Sequence, residues 1–196
     1  MQTTIPQITN KRLCLISLGC PKNLVDSEKI LGILGTNGYV ITAQPQDADY
    51  ILINTCAFIQ PAVKESLDMI NNMKKIKEKT GGKIIVFGCL SRKNGDILFM
   101  DKDIDAVVGP DGMYKLPDIL QSLQSDKRVF SSPHSLNYPL KNSPRLVLTY
   151  PYAYLKITEG CSNFCSYCLI PKLRGPLKSF PENEIIKRQK NCQMRG

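Results

Sequence analysis

The sequence predicts an α/β protein built on a doubly wound parallel sheet. Two observations carry that expectation: short apolar runs rich in β-branched residues recur along the first 125 residues, and amphipathic stretches of helix length separate them. Strands that alternate with helices pair in parallel and need cover on both faces.

Five strands are expected, at residues 13–18, 39–42, 50–53, 83–87 and 106–108, each bounded by turn-forming residues. Helices are expected at 24–34, 62–79, 93–99 and 113–123. In the second of these, Val63, Leu67, Ile70, Met73 and Ile76 fall at three- and four-residue steps and form one apolar face. The pattern resembles the flavodoxin type of doubly wound fold, in which ligands lie beyond the carboxyl ends of the strands. Residues 125–149, rich in Ser, Pro and Asn, read as a linker, and residues 150–196 as the first β/α unit of a second domain, with its strand at 152–158.

Cysteine placement is the strongest chemical signal. Cys161, Cys165 and Cys168 form a C-x3-C-x2-C run, and three thiolates can hold three irons of a cubane 4Fe-4S cluster, leaving the fourth iron open. Cys20, Cys56 and Cys89 each follow a predicted strand, two of them directly after Gly, so they are expected to converge at one sheet edge around a second cluster. Cys14 lies inside the first strand and reads as core. A zinc knuckle is the alternative for the local triplet, with Cys192 or the single histidine, His134, as a conceivable fourth ligand. The alternative for the dispersed triplet is three small buried hydrophobes. Eight cysteines without a recognisable export signal suit a reducing cytoplasm better than a disulfide framework.

Composition is that of ordinary globular material, 42% apolar and 22% charged, with no apolar run long enough to span a bilayer. The formal charge of +9 would assist docking on RNA or a ribosome, although solvated surfaces often carry such an excess. Lys74, Lys75, Lys77 and Lys79 read as the exposed face of a helix. Gly32, Gly35 and Gly38 have the wrong spacing for a dinucleotide fingerprint. Asp101, Asp103 and Asp105 imitate a calcium loop, but Ala106 and Gly112 occupy positions that need Gly and Glu, so they read as a surface turn.

The six cysteines, three dispersed and three in C-x3-C-x2-C, give the chain a resemblance to the N-terminal part of the radical S-adenosylmethionine methylthiotransferases. The run Leu18-Gly19-Cys20-Pro21-Lys22-Asn23-Leu24-Val25-Asp26-Ser27-Glu28 resembles the branch that modifies an aspartate of the S-twelve protein of the small ribosomal subunit. So does Asn54-Thr55-Cys56-Ala57-Phe58-Ile59, followed by Ala62 and Glu65-Ser66. The segment Ile170-Pro171-Lys172-Leu173-Arg174-Gly175 also fits, whereas Phe180 stands where the family usually has Arg.

The resemblance implies that Cys161, Cys165 and Cys168 ligate the cluster that binds S-adenosylmethionine, with Tyr167 close to the adenine. It implies that Cys20, Cys56 and Cys89 ligate an auxiliary 4Fe-4S cluster that carries the sulfur to be inserted. In the family, reductive cleavage of S-adenosylmethionine yields a radical that takes hydrogen from the aspartate β-carbon, and a methylthio group is transferred there. The implied partners are the ribosomal protein as substrate, electron-donor and sulfur-donor proteins and contact with the ribosome, with no membrane. By the same resemblance residues 1–124 form the auxiliary-cluster domain, 125–149 the linker, and 150–196 the start of a truncated radical barrel, so the chain reads as a fragment. Two rival expectations stand beside this one: a non-catalytic iron–sulfur scaffold, and a methylthiotransferase acting on tRNA adenosine.

Overall fold

The computed structural model of the chain describes residues 10–131, 143–149 and 151–193. Its centre is a parallel sheet of β1 (Arg12–Ser17), β2 (Val40–Ile41), β3 (Tyr50–Thr55), β4 (Lys83–Gly88), β5 (Ala106–Val108) and β6 (Val129–Ser131), in the order β2-β1-β3-β4-β5-β6. This is the doubly wound α/β architecture the sequence predicts. The sixth strand lies where the sequence reads as linker: Val129 and Phe130 pair with Ala106 and Val107 at the sheet edge.

Alternate side chains of the strands feed two cores. On one face Leu13, Tyr50, Leu52, Ile85, Phe87 and Val108 pack against α1 (Pro21–Thr36) and α4 (Leu116–Leu123), through Ile30, Leu34, Leu116 and Leu120. On the other face Ile51, Ile53, Ile84, Val86 and Val107 pack against α2 (Gln60–Thr80) and α3 (Cys89–Met100), through Ile70, Met73, Leu90 and Leu98. Each fully buried Leu or Ile contributes about 1.5–3 kcal/mol relative to exposure, so the two cores hold the strand ends rigidly.

Three expectations need correction. The face of α2 that packs inward runs through Ser66, Ile70 and Met73, while Leu67 is exposed. The polar Ser66 goes inside because it has backbone groups to bond there. α3 begins at Cys89 itself rather than at residue 93, because Gly88, at φ 100°, turns the chain straight out of β4 into the helix. Residues 152–157 form no strand, and only Thr158–Glu159 (β7) pairs, antiparallel, with Lys178–Ser179 (β8). The side chains of Tyr152, Tyr154 and Ile157 before it stay exposed.

The later residues lie on the sheet domain. α5 (Ile170–Arg174) inserts Leu173 into the core beside α3, and α6 (Glu182–Gln193) follows β8. Residues 143–148 run across α1, where the Leu146 N–H donates to the Glu28 carbonyl at 3.0 Å. No helix among the described residues is long and apolar enough to cross a membrane.

Candidate metal centre

Cys20, Cys56 and Cys89 leave three neighbouring strands at one edge. β3 pairs with β1 through Ser17 and Asn54, and with β4 through Thr55 and Gly88. Cys56 and Cys89 are each the next residue after the Thr55–Gly88 pair, so they emerge at the same level about 5 Å apart along the hydrogen-bonding direction. Cys20 caps the N-terminus of α1 and Cys89 opens α3.

Glycine lets the chains approach. Gly19 has φ 91°, and a Cβ there would lie 2.7 Å from the Cys56 Cβ and 3.1 Å from its Sγ. A Cβ on Gly88 would lie 2.5 Å from Asn54 Oδ1. Burial pushes the Cys89 thiol above the usual range; Arg174 works against that rise, and neighbouring Cys56 and Cys20 add to it. The dispersed triplet is therefore gathered by folding.

Residues that are not cysteines fix this edge. Ser66 Oγ accepts the Cys56 N–H at 3.1 Å and donates to the Ala62 carbonyl at 2.8 Å. Asn23 is completely buried, and its Nδ2 donates to the carbonyls of Leu18 at 3.0 Å and Thr55 at 3.1 Å, tying the ends of two strands. Asn54 Nδ2 donates to the Asn23 carbonyl and to Ser27 Oγ, both at 2.9 Å, and Thr55 Oγ1 donates to the Phe87 carbonyl at 2.6 Å.

Arg174, 7% exposed, arrives from α5 and uses its whole fork. Nε donates to Cys89 Sγ at 3.3 Å, Nη1 to Asp26 Oδ2 at 2.6 Å and Nη2 to Asn23 Oδ1 at 2.5 Å. Lys156 bridges Asp26 at 2.5 Å and Glu159 at 2.7 Å, completing a buried network of two acids and two bases. Burial alone would raise the Asp26 carboxyl, but the Lys156 and Arg174 charges win and hold it well below the usual carboxylate range.

The local triplet is more open. Cys165 is exposed, Cys161 and Cys168 are half-buried, and Tyr167 is 84% exposed. The Cys161 N–H donates to the Gly175 carbonyl at 3.0 Å, the Cys168 N–H to the Cys165 carbonyl at 2.9 Å, and the Ile170 N–H to Cys168 Sγ at 3.4 Å. Phe164, between two of the cysteines, sits at φ 48°, an uncommon conformation for an aromatic residue. The short segment Arg174-Gly175 thus reaches Cys89 with its side chain and Cys161 with its backbone.

Among the described residues, no group of three or more His, Cys, Asp or Glu side chains closes on a point that could hold a single metal ion. Cys192 lies beside Arg145, whose Nη1 donates to its Sγ at 3.8 Å. His134 lies outside the described residues. The dispersed edge nonetheless fits a bulky thiolate-ligated group: three cysteines on adjoining strands, two glycines that keep Cβ atoms out of the way, and a fixed guanidinium aimed at one sulfur.

Other sequence candidates have structural roles. Cys14 is core, 3% exposed. Lys74 pairs with Asp101 at 2.7 Å and Lys77 with Asp105 at 2.6 Å, so part of the basic cluster is bound to the acidic turn after α3. Sequence reasoning missed Asn23, Asp26, Ser66, Lys156, Glu159 and Arg174 as site residues. The available signal was polar side chains inside stretches that must otherwise bury apolar faces.

A family model described as "Uncharacterized protein family UPF0004" matches residues 12–109. Curated relatives are named ribosomal protein uS12 methylthiotransferase RimO. That of Caldanaerobacter subterraneus subsp. tengcongensis is 44% identical over 93% of this chain and 42% of its own length. That of a Thermoanaerobacter species is 40% identical over 95% of this chain and 43% of its own. That of Myxococcus xanthus is 40% identical over 100% of this chain and 40% of its own. The chain therefore spans about two fifths of the length of the relatives it matches. With half of its 196 residues under the family model, at 12–109, and with nearly all of them similar to the uS12 methylthiotransferases, the chain belongs to protein family UPF0004.

Proposed function

We propose that the chain carries the two iron–sulfur sites of a radical S-adenosylmethionine methylthiotransferase that modifies an aspartate β-carbon of ribosomal protein uS12. The observation that carries this reading is the gathering of Cys20, Cys56 and Cys89 at the carboxyl edge of β1, β3 and β4, with Arg174-Gly175 joining that edge to Cys161. The relatives named uS12 methylthiotransferases support the choice of substrate.

Cys20, Cys56 and Cys89 ligate the auxiliary 4Fe-4S cluster in this reading, and Cys161, Cys165 and Cys168 ligate the cluster that takes S-adenosylmethionine. In the same reading Tyr167, exposed beside these cysteines, covers the adenine. The bound groups supply the one-electron and sulfur-transfer chemistry that an unactivated carbon–hydrogen bond demands, which no arrangement of acids and bases provides. The protein's own task is position: Asn23 and Ser66 hold the strand ends, and Glu159-Gly160 holds the entry to the local triplet. Residues 1–124 house the auxiliary site, 125–149 the connection, and 150–196 the opening of the second domain. An electron donor, a sulfur donor and the ribosome in the cytoplasm are the partners this reading requires.

Iron and sulfide counting with Mössbauer spectroscopy on anaerobically reconstituted protein tests it. About eight irons per chain are expected, with about half lost on replacing Cys20, Cys56 and Cys89 by Ala. Zinc in place of iron at the local triplet would overturn the reading. Deoxyadenosine formed by the reduced protein separates an enzyme from an inert scaffold. Mass spectrometry of uS12 and of tRNA from cells lacking the gene separates the two substrates.

A further inference from the structure

Arg174 is buried and engaged along its whole fork, and one of its hydrogen bonds goes to a sulfur. A buried arginine that served only to join two parts of the chain would need Asp26 and Asn23 alone. Instead its Nε–H is directed at Cys89 Sγ at 3.3 Å, while Asp26 and Asn23 fix the rest of the plane. The guanidinium has no freedom to turn away, because its planar fork is held at both Nη atoms.

Asp26 and Glu159 pair with Lys156 and Arg174 within the buried network, and Lys22 reaches Glu159 at 3.9 Å from its rim. At the sulfur itself the contact is a directed N–H bond. A hydrogen bond to a ligating sulfur withdraws electron density and favours the reduced form of the metal group.

We infer that Arg174 is a positioning residue for the dispersed site, donating its Nε–H to the metal-bound sulfur of Cys89 and raising the reduction potential of the cluster held there. This rests on the proposed ligation by Cys20, Cys56 and Cys89. It also makes the auxiliary site composite: the sheet domain supplies the ligands, and the segment that follows the local triplet supplies the bond that tunes them.

The test uses the full chain with Cys161, Cys165 and Cys168 replaced by Ala, so that iron binds only at the dispersed site. This parent form should bind about four irons. EPR-monitored redox titration then compares it with R174K and R174Q. The midpoint should move to a more negative value in R174Q, with R174K between, while the iron content holds. Equal midpoints at equal iron content would overturn the inference. An independent arm uses the unsubstituted Arg174 in protein grown on isotope-labelled arginine: pulsed EPR of the reduced site should show a nitrogen coupling, and its absence would count against the bond even if R174Q sheds its iron. A parent form that binds no iron would instead overturn the ligation itself, so the two failures are distinguishable.

Discussion

Asp26 and Lys156, 130 residues apart in the chain, meet at 2.5 Å in the interior, their side chains 5% and 3% exposed. This ion pair, extended by Arg174 and Glu159, joins the second triplet to the sheet domain together with Leu173 in the core.

Removing one partner of such a pair leaves a buried charge uncompensated, which costs far more than the intact pair contributes. Asp26→Asn should destabilise the protein by about 3–5 kcal/mol in urea titration. The pH dependence has a definite sign. The folded-state Asp26 carboxyl titrates below its ordinary value, so its stabilisation is complete above about pH 4 and drains away as acid is added beyond that. The Asn variant should lack that part of the acid-induced loss.

Lys29 behaves oppositely. Its side chain lies in α1, 3% exposed, with no hydrogen-bond partner for Nζ among the described residues. The Phe180 ring, 5.3 Å away, offers one cation–π contact. Burial pushes Lys29 down to about 8; Asp26 opposes that, while Lys156, Arg188 and Arg145 add to it. The cost is complete below pH 8 and is relieved as pH rises towards the ordinary lysine value of about 10.4. Lys29→Met should stabilise the protein by about 1–3 kcal/mol at pH 7 and flatten the stability rise in that alkaline window, read by denaturation at several pH values.

Two glycines of α1 should respond with opposite sign. Alanine at an open helix interior gains about 0.5–1 kcal/mol over glycine. A Cβ on Gly35 meets only Ile41 Cδ1 at 3.9 Å, so Gly35→Ala should show that gain. A Cβ on Gly32 would fall 2.4 Å from the backbone of Pro144, so the crossing segment must lift, and Gly32→Ala should cost about 1–3 kcal/mol instead. Thermal melts of both variants decide the point.

Gly160 has φ 75°, and a Cβ there would sit 2.1 Å from the Pro176 carbonyl oxygen. Gly160→Ala should separate Cys161 from Gly175 and cost the reconstituted protein about four of about eight irons, leaving the dispersed site loaded. Retention of all the iron would show that this backbone approach is dispensable.

The sheet and the position of Cys20, Cys56 and Cys89 at its edge are legible because both write themselves locally: β-branched runs end in Gly, Asn or Thr, and these cysteines stand right after them. The supporting residues are not, because their partners are remote. Asp26 looks like an ordinary surface acid of α1 until Lys156 and Arg174 come to it, and Ser66 looks weaker than Leu67 as a core position until Cys56 needs its hydroxyl. β6 escaped because Val129–Ser131 is three residues of strand bordering a Pro- and Ser-rich stretch. Residues 152–157 read as a strand because Tyr152, Tyr154 and Lys156 alternate as a strand would, yet the paired stretch is only Thr158–Glu159, with the Phe180 N–H donating to the Ile157 carbonyl at 2.9 Å beside it.

Tyr50 to Ile53 are apolar and sealed on both faces, so greasy contact alone would tolerate β3 sliding past β4 by a residue. Asn54 and Thr55 act as the index marks that forbid it, since a slip of about 3.3 Å would strand their amide and hydroxyl without acceptors. The accuracy with which Cys56 meets its neighbours is thus inherited from two side chains that carry no sulfur. Exchanging Asn54 for a leucine would blur the alignment of the thiols while leaving every cysteine in the sequence.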